Sequence, residues 1–122
     1  MNFARRVFFT AAVYGFVSIV PGFFTEARTS HDFPPEITHP EYYYGFYGVG
    51  LAWQVLFLIL SKDPVRFRPM MIPAVLEKAS FSLAVLVLLA LGRVPPFLLV
   101  FAAIDAIFGI LFLIAYSKTR TV

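Results

Sequence analysis

Four long apolar segments dominate the sequence, and polar stretches rich in proline separate them. The segments cover residues 6–24, 41–61, 70–91 and 95–116. Each has close to the ~20 residues that a helix needs to cross about 30 Å of hydrocarbon. Proline begins helices well and continues them badly, so its position between the segments supports four separate helices. The pattern predicts a single membrane domain, residues 1–122, with short connections except for an outer loop at residues 25–40.

Composition supports lipid as the surroundings of this chain. Hydrophobic residues make up 60% of the sequence and charged residues 14%, against about 25% charged residues in a typical soluble domain. The mean hydropathy is +0.81. A small soluble domain has a large surface-to-volume ratio and needs many polar residues to cover it. We therefore predict an all-α fold, a transmembrane four-helix bundle whose partners are membrane lipids.

The remaining composition excludes several classes of function. The chain has no cysteine, which excludes disulfides, thiol redox chemistry and iron–sulfur clusters. The net charge is +3 and no basic run is long enough to suggest nucleic-acid binding. No histidine lies in an apolar segment, and there is no glycine-rich phosphate loop. We predict no cofactor.

The distribution of lysine and arginine predicts the orientation. If the helices alternate in direction, two basic residues lie on one side of the membrane, Arg28 and Arg93. The other side then carries Arg5, Arg6, Lys62, Arg66, Arg68, Lys118 and Arg120. Cytoplasmic loops carry the excess of basic residues. The pattern therefore predicts antiparallel neighbouring helices with both termini in the cytoplasm.

The first segment also has some features of a cleavable signal peptide. Arg5 and Arg6 precede the apolar run, and residues 25–27 resemble a poor cleavage site. The apolar run of roughly 18 residues, however, exceeds the 7–15 or so of a signal peptide. We interpret the segment as a retained helix.

Small residues recur at helical spacing in three segments. Since lipid gives helices no hydrophobic reason to associate, such stripes predict close packing inside the bundle. The simpler interpretation is that glycine and alanine are common in membrane helices. The stripes comprise Ala11, Gly15, Ser18 and Gly22 in the first segment, Gly45, Gly48 and Ala52 in the second, and Ala102, Ala106 and Gly109 in the fourth.

Polar side chains inside the apolar segments are the main candidates for function, because charged groups in hydrocarbon are costly. A helical rise of about 1.5 Å per residue places most of them roughly 10–18 Å from the cytoplasmic ends of their helices. The candidates for a ligand-binding or proton-titrating layer are Tyr14, Trp53, Gln54, Glu77, Lys78 and Asp105. All four helices contribute to this layer.

Glu77 and Lys78 cannot both point in one direction, because neighbouring helical positions diverge by about 100°. We expect Glu77 to face inward, on a face that Ser80 and Ala84 continue. Lys78 then either extends toward the cytoplasmic headgroups along its alkyl stem or pairs with Asp105 or with Glu77 of another helix.

Three functions are compatible with this layer. The preferred hypothesis is a non-enzymatic membrane protein whose polar layer either locks the bundle by hydrogen bonding or binds a small amphipathic ligand. The second is a subunit of a proton-linked transporter, which with four helices per chain would have to form a homo-oligomer. The third is a membrane enzyme for a lipid or isoprenoid-like substrate, with Glu77 and Asp105 as acid and base.

The polar connections add two weaker candidates. The outer loop holds residue types that ligate metals, but their spacing matches no zinc signature and we predict no metal site. Arg66 and Arg68, in the connection after the second segment, are candidates for contact with anionic lipid headgroups, worth about 1 kcal/mol each. The outer-loop residues are His31, Asp32, Glu36, His39 and Glu41.

Several motifs resemble those of a known group. Residues 39–46 (HPEYYYGF), 52–54 (AWQ), 63–66 (DPVR) and 73–78 (PAVLEK) resemble a group of uncharacterised small bacterial integral membrane proteins. The overall layout is similar to that of the DoxX-like four-helix proteins, by size and helix number rather than by a shared motif. The resemblance implies a multi-pass protein of the bacterial cytoplasmic (inner) membrane and implies no chemistry.

Overall fold

The computed structural model describes residues 2–119, and every regular element in this range is helical. Four stretches are long and apolar enough to cross a membrane, namely Asn2–Phe24, Pro40–Lys62, Arg68–Ala90 and Leu98–Lys118. The all-α fold with four membrane-crossing helices is thus confirmed. The elements are α1 (Asn2–Ile19), a 3₁₀ helix (Val20–Phe24), α2 (Glu26–Asp32), α3 (Pro40–Lys62), a 3₁₀ helix (Arg68–Met70), α4 (Met71–Ala90) and α5 (Leu98–Lys118).

Prolines and one glycine explain where the helices begin and end. α1 ends at Ile19 because Pro21 has no N–H to continue the ladder of hydrogen bonds. α3 begins on Pro40, whose fixed φ suits the first helical position. After α4 the chain reverses at Gly92, which has a φ of 71°, while the amide of Arg93 donates to the carbonyl of Leu88 at 2.9 Å. That left-handed glycine is a common helix ending.

The four membrane helices pack in the order α1, α3, α4, α5 around the bundle. The contacts between α1 and α3 and between α4 and α5 are the most extensive, and α1 also packs on α5. The side between α3 and α4 is the loosest of the four. The bundle thus consists of two tight helix pairs, joined mainly through α1 and α5.

An aromatic cluster fills the centre of the bundle. The rings of Phe8 and Phe112 stack with centroids 4.3 Å apart, and Phe57 packs on Phe112 at 5.1 Å. All three side chains are fully buried. Alanines on α1, α4 and α5 complete this core and let the helices approach each other.

The small-residue stripes behave differently on different helices. Gly15 of α1 and Gly22 of the 3₁₀ helix after it are buried, and a methyl group at either position would overlap α3, on Gln54 or on Tyr47. On α5, Ala102 and Gly109 are buried and Ala106 is exposed.

For α3 the packing prediction is wrong. Gly45, Gly48 and Ala52 are all exposed, and nothing lies within 4 Å of a methyl group built at either glycine. α3 packs on α1 through Gln54 and its neighbours instead, because that face matches the glycine stripe of α1.

The segment between α1 and α3, which was predicted as a loop, contains a short helix. In α2, Arg28 and Asp32 pair one turn apart at 3.3 Å, and Glu26 occupies the first turn. Glu26 also accepts a hydrogen bond from the Tyr44 hydroxyl at 2.9 Å. Phe33, just after α2, stacks on Phe97 at 5.0 Å, so the segment reaches across to the connection before α5.

One hydrogen bond ties the end of the first membrane stretch to the second. The hydroxyl of Tyr43 in α3 donates to the backbone carbonyl of Gly22 at 2.7 Å. This carbonyl lies in the 3₁₀ helix where the regular ladder of α1 has ended. An unpaired carbonyl in lipid costs several kcal/mol by rough estimate, so the Tyr43 hydroxyl stabilises this helix ending.

Candidate functional site

The centre of the candidate site is Lys78, on the face of α4 that packs against α5. Lys78 is only 3% exposed. Its ammonium nitrogen, Nζ, lies 3.4 Å from Oδ1 of Asp105 on α5 and 3.6 Å from Oε1 of Glu77, its neighbour on α4. These three residues form what we call the ion cluster, and the contact to Asp105 joins two helices.

Aromatic rings enclose the cation of the ion cluster. Nζ of Lys78 lies 5.1 Å from the ring centroid of Phe57 and 5.6 Å from that of Phe108. A cation over a ring within about 6 Å is attracted by the quadrupole of the ring. The alkyl stem of Lys78 fits because α5 has a glycine opposite it, and a Cβ at Gly109 would lie 3.5 Å from the Cβ of Lys78.

The charges in the ion cluster are unequal, since two carboxyl groups face one ammonium group. Lys78 Nζ is within hydrogen-bonding distance of Asp105 but beyond it for Glu77 Oε1, which has no hydrogen-bond partner among the described residues. The 3.6 Å contact to Glu77 is therefore an ionic contact only. With all three groups charged, the cluster would carry a net charge of −1 in an apolar environment, which is unfavourable.

The predicted orientation of α4 is wrong. The buried face consists of Met71, Ala74, Lys78, Ser82 and Val85. Ser80 and Ala84, which were expected to continue the inward face, are exposed, and Glu77 lies at the edge of the interface with intermediate burial. Lys78 does not extend to the headgroups. The alternative pairing with Asp105 is the one present, because Asp105 and Gly109 on α5 accept both the charge and the stem.

The structure divides the predicted polar layer into two parts. Gln54 is 2% exposed and lies against Gly15, in the interface between α1 and α3. Its side-chain amide donates to the carbonyl of Gly50 on its own helix at 2.9 Å, and its Oε1 has no partner among the described residues. Gln54 thus holds α3 against α1 by shape and makes no hydrogen bond to the ion cluster.

Tyr14 and Trp53 contact the aromatic core beside the ion cluster. The Tyr14 ring packs on Phe108 at 5.7 Å, and the Trp53 ring on Phe57 at 6.3 Å. Both Phe57 and Phe108 face the Lys78 ammonium. Tyr14 and Trp53 therefore support the rings around the cation rather than the cation itself.

Sequence reasoning missed Ser82. Its hydroxyl donates to the backbone carbonyl of Ala102 on α5 at 2.8 Å, and the residue is buried. Ser82 lies one helical turn beyond Lys78 on the same face, so α4 offers α5 two polar contacts in succession. The spacing of four residues between Lys78 and Ser82 indicates that both lie on one face of α4, and this pattern is visible in the sequence.

The two arginines proposed for lipid contact have different surroundings. Arg68 is held within the protein, where its Nε donates to the carbonyl of Tyr116 at 2.9 Å and its guanidinium lies 3.6 Å from the Tyr116 ring centroid. Arg66 is exposed, with its guanidinium 5.2 Å from the ring centroid of Phe67.

The polar residues from α2 to the start of α3 that were considered as metal ligands form separate pairs. His31 lies 3.2 Å from Asp32, and His39 lies 3.7 Å from Glu41 and stacks on Tyr42. Within residues 2–119, no three such side chains are grouped so that they could hold one metal ion.

Comparison with protein-family models, with curated proteins and with solved structures found no match. The resemblance to DoxX-like proteins therefore stays a prediction.

Proposed function

We propose that this chain is a small, non-enzymatic, multi-pass membrane protein in which the ion cluster locks α4 to α5. The observation that supports the proposal is the position of Lys78. Its ammonium is buried, enclosed by two rings and in contact with carboxylates from its own helix and from α5. A cation held in this way fixes the depth and rotation of one helix relative to the other, because any shift would leave a charge unpaired in lipid.

A second function, that of a subunit in a proton-linked transporter, is favoured by the unequal charges. The second carboxyl group, that of Glu77, makes no hydrogen bond, and a proton bound there would neutralise the cluster. Four helices are few for a transporter, so this function requires several copies of the chain.

Two matched substitutions distinguish a lock from a proton site. Asp105→Asn removes the charge that connects α5 to Lys78, while Glu77→Gln removes the charge next to Lys78 on its own helix. For a lock, we expect Asp105→Asn to lower the free energy of unfolding by less than the roughly 3–5 kcal/mol of a broken buried ion pair, because Glu77 still faces Lys78. We expect Glu77→Gln to change it by less than about 1 kcal/mol. Unfolding in mixed detergent micelles measures both values.

Equal stability of the two variants would contradict the lock. If Glu77→Gln and Asp105→Asn leave stability equal while Glu77→Gln alone abolishes proton uptake into vesicles that contain the protein, the transporter is the better description. Glu77→Leu serves as a further comparison, because it removes the carboxyl group and all hydrogen-bonding capacity at this position.

We also propose that the protein lies in the bacterial inner membrane with both termini in the cytoplasm. Among the described residues, six of the basic residues in the connections and at the ends share one side of the bundle, in support of this orientation. Arg120, the seventh in the sequence pattern, lies outside the described residues. A reporter fused at Val122 should be active in its cytoplasmic form, and activity only in its external form would reverse the topology.

A further inference from the structure

A continuous exposed face of α3 borders the loosest side of the bundle. Its residues recur at intervals of three and four, and all are exposed. They are Gly45, Gly48, Ala52, Val55, Ile59 and Lys62. The face changes from glycine at one end to larger apolar side chains and then to a lysine at the other.

The second half of this face forms one wall of a groove. Ala52, Val55 and Ile59 of α3 lie opposite Phe67 and Met70, which belong to the connection that leads into α4. Every side chain that lines the groove is apolar. The groove lies beside the short connection between α3 and α4, two helices that pack only loosely on each other.

The length of the groove covers most of the hydrocarbon depth of one leaflet. On α3 its lining runs from Ala52 to Leu60, eight positions, which at a rise of about 1.5 Å per residue corresponds to about 12 Å. Half of a hydrocarbon layer of about 30 Å is about 15 Å. An acyl chain of one leaflet would therefore lie along the groove over most of its length.

Two cations stand at the end of the groove where a headgroup would lie. Lys62 follows Ile59 on the same face of α3, and Arg66 packs on the Phe67 ring that lines the groove. Among residues 2–119, no carboxylate lies within salt-bridge distance of either side chain. The one nearby acid, Asp63, accepts a hydrogen bond from the backbone amide of Arg66 at 3.3 Å.

We infer that this groove binds one anionic phospholipid, with an acyl chain between Ala52 and Met70 and the phosphate beside Lys62 and Arg66. A second copy of the chain fits the same face less well. Two copies in the same membrane orientation, related by a twofold axis along this face, would bring their Lys62 and Arg66 side chains together and repel each other. A phosphate, in contrast, complements both cations. This inference is independent of the ion cluster, which none of these residues touches.

Native mass spectrometry of the full-length protein tests the inference. The detergent-solubilised protein is offered equal amounts of phosphatidylglycerol and phosphatidylcholine with identical acyl chains. We expect the wild type to retain one phosphatidylglycerol in preference to phosphatidylcholine. Lys62→Gln with Arg66→Gln should reduce that preference about thirtyfold, since each basic residue near an anionic headgroup contributes a factor of about five.

Two further variants separate charge from shape. Arg5→Gln with Arg6→Gln removes two exposed cations from the same side of the bundle but outside the groove, and should leave the preference unchanged. Ala52→Phe should fill the groove and reduce retention of both lipids. None of these variants alters Lys78, Glu77 or Asp105, so stability should stay near that of the wild type even if the lock proposal fails.

Three results would overturn the inference. One is an unchanged preference for phosphatidylglycerol when Lys62 and Arg66 are neutral. Another is an equal loss of preference in the Arg5 and Arg6 variant, which would indicate attraction by net charge alone. The third is a dimer of the wild type that Ala52→Phe dissociates, which would assign this face of α3 to a second copy of the chain.

Discussion

The α1–α3 and α4–α5 interfaces hold their helices together by different chemistry. In the first, Gly15 of α1 and Gly22 of the 3₁₀ helix after it admit the side chains of Gln54 and Tyr47 from α3, and the contact depends mainly on shape. In the second, Lys78 and Ser82 of α4 bind groups of α5, and the contact depends on charge and hydrogen bonding. Lipid removes the hydrophobic reason for either association, so the first interface relies mainly on close packing, to which the hydrogen bond from Tyr43 to Gly22 is added, and the second relies mainly on polar contacts.

The difference has a consequence for tolerance to substitution. A shape-based interface fails when a side chain is too large, whereas a charge-based interface fails when a partner is missing. Gly109, on the charge-based side, leaves ordinary contact distance to Lys78, while Gly15 leaves no space for a methyl group. The two interfaces should therefore be sensitive to opposite kinds of substitution.

The largest effect is expected at Lys78. Lys78→Met keeps the volume similar but leaves Glu77 and Asp105 without a cation, and removal of one partner from a buried ion pair costs about 3–5 kcal/mol. Unfolding in mixed micelles measures this loss. Lys118→Met, on an exposed lysine of α5, is the matched control. It removes only a contact of the ammonium with the Phe3 ring at 4.6 Å and should change stability by less than about 1 kcal/mol.

A triple variant sharpens the interpretation of that loss. Lys78→Met combined with Glu77→Gln and Asp105→Asn leaves no charge in the cluster, and we expect it to recover much of the lost stability. If the triple variant is as unstable as Lys78→Met, the lysine stem rather than the charges holds α4 on α5.

The second effect is expected on the shape-based side. Gly15→Val places a branched side chain where Gln54 lies, and overpacking of this kind costs about 1–3 kcal/mol. Gly45→Val is the control, because nothing lies within 4 Å of a methyl group there. Equal thermal stability of the two variants in detergent would show that α1 and α3 do not depend on close approach.

The smallest effect is expected at Ser82. Ser82→Ala removes the hydrogen bond to the Ala102 carbonyl, and interhelical hydrogen bonds in membrane proteins contribute about 0.6 kcal/mol on average. Ser80→Ala is the control, because the hydroxyl of Ser80 donates to the Glu77 carbonyl on its own helix. A larger loss for Ser80 than for Ser82 would contradict a role for this bond between the helices.

The sequence predicted the helices well because length, apolar composition and proline position act locally. The start of α3 at Pro40 follows from the chemistry of a single residue. The first segment was expected to continue to residue 24, and its α-helix ends earlier, at Ile19, because of Pro21. The sequence also placed Glu77, Lys78 and Asp105 at similar depth, since depth depends only on the rise per residue.

Helix rotation could not be predicted in the same way. In lipid both faces of α4 are apolar, so no hydrophobic pattern distinguishes Glu77 from Lys78 as the inward residue. The choice depends on what α5 presents, namely Asp105 and the space above Gly109. For the same reason the glycines of α3 did not indicate its packing face, which is fixed by the stripe on α1.

The hydrogen bond from Tyr43 to the Gly22 carbonyl has a consequence for the order of assembly. At this point a phenol from a later segment donates to a carbonyl that lies beyond the regular hydrogen-bond ladder of α1. Insertion of the first segment alone would leave that oxygen without this donor until residues 40–62 arrive beside it. The helical hairpin, rather than either helix separately, is therefore the smallest part of this protein that contains both partners of this bond.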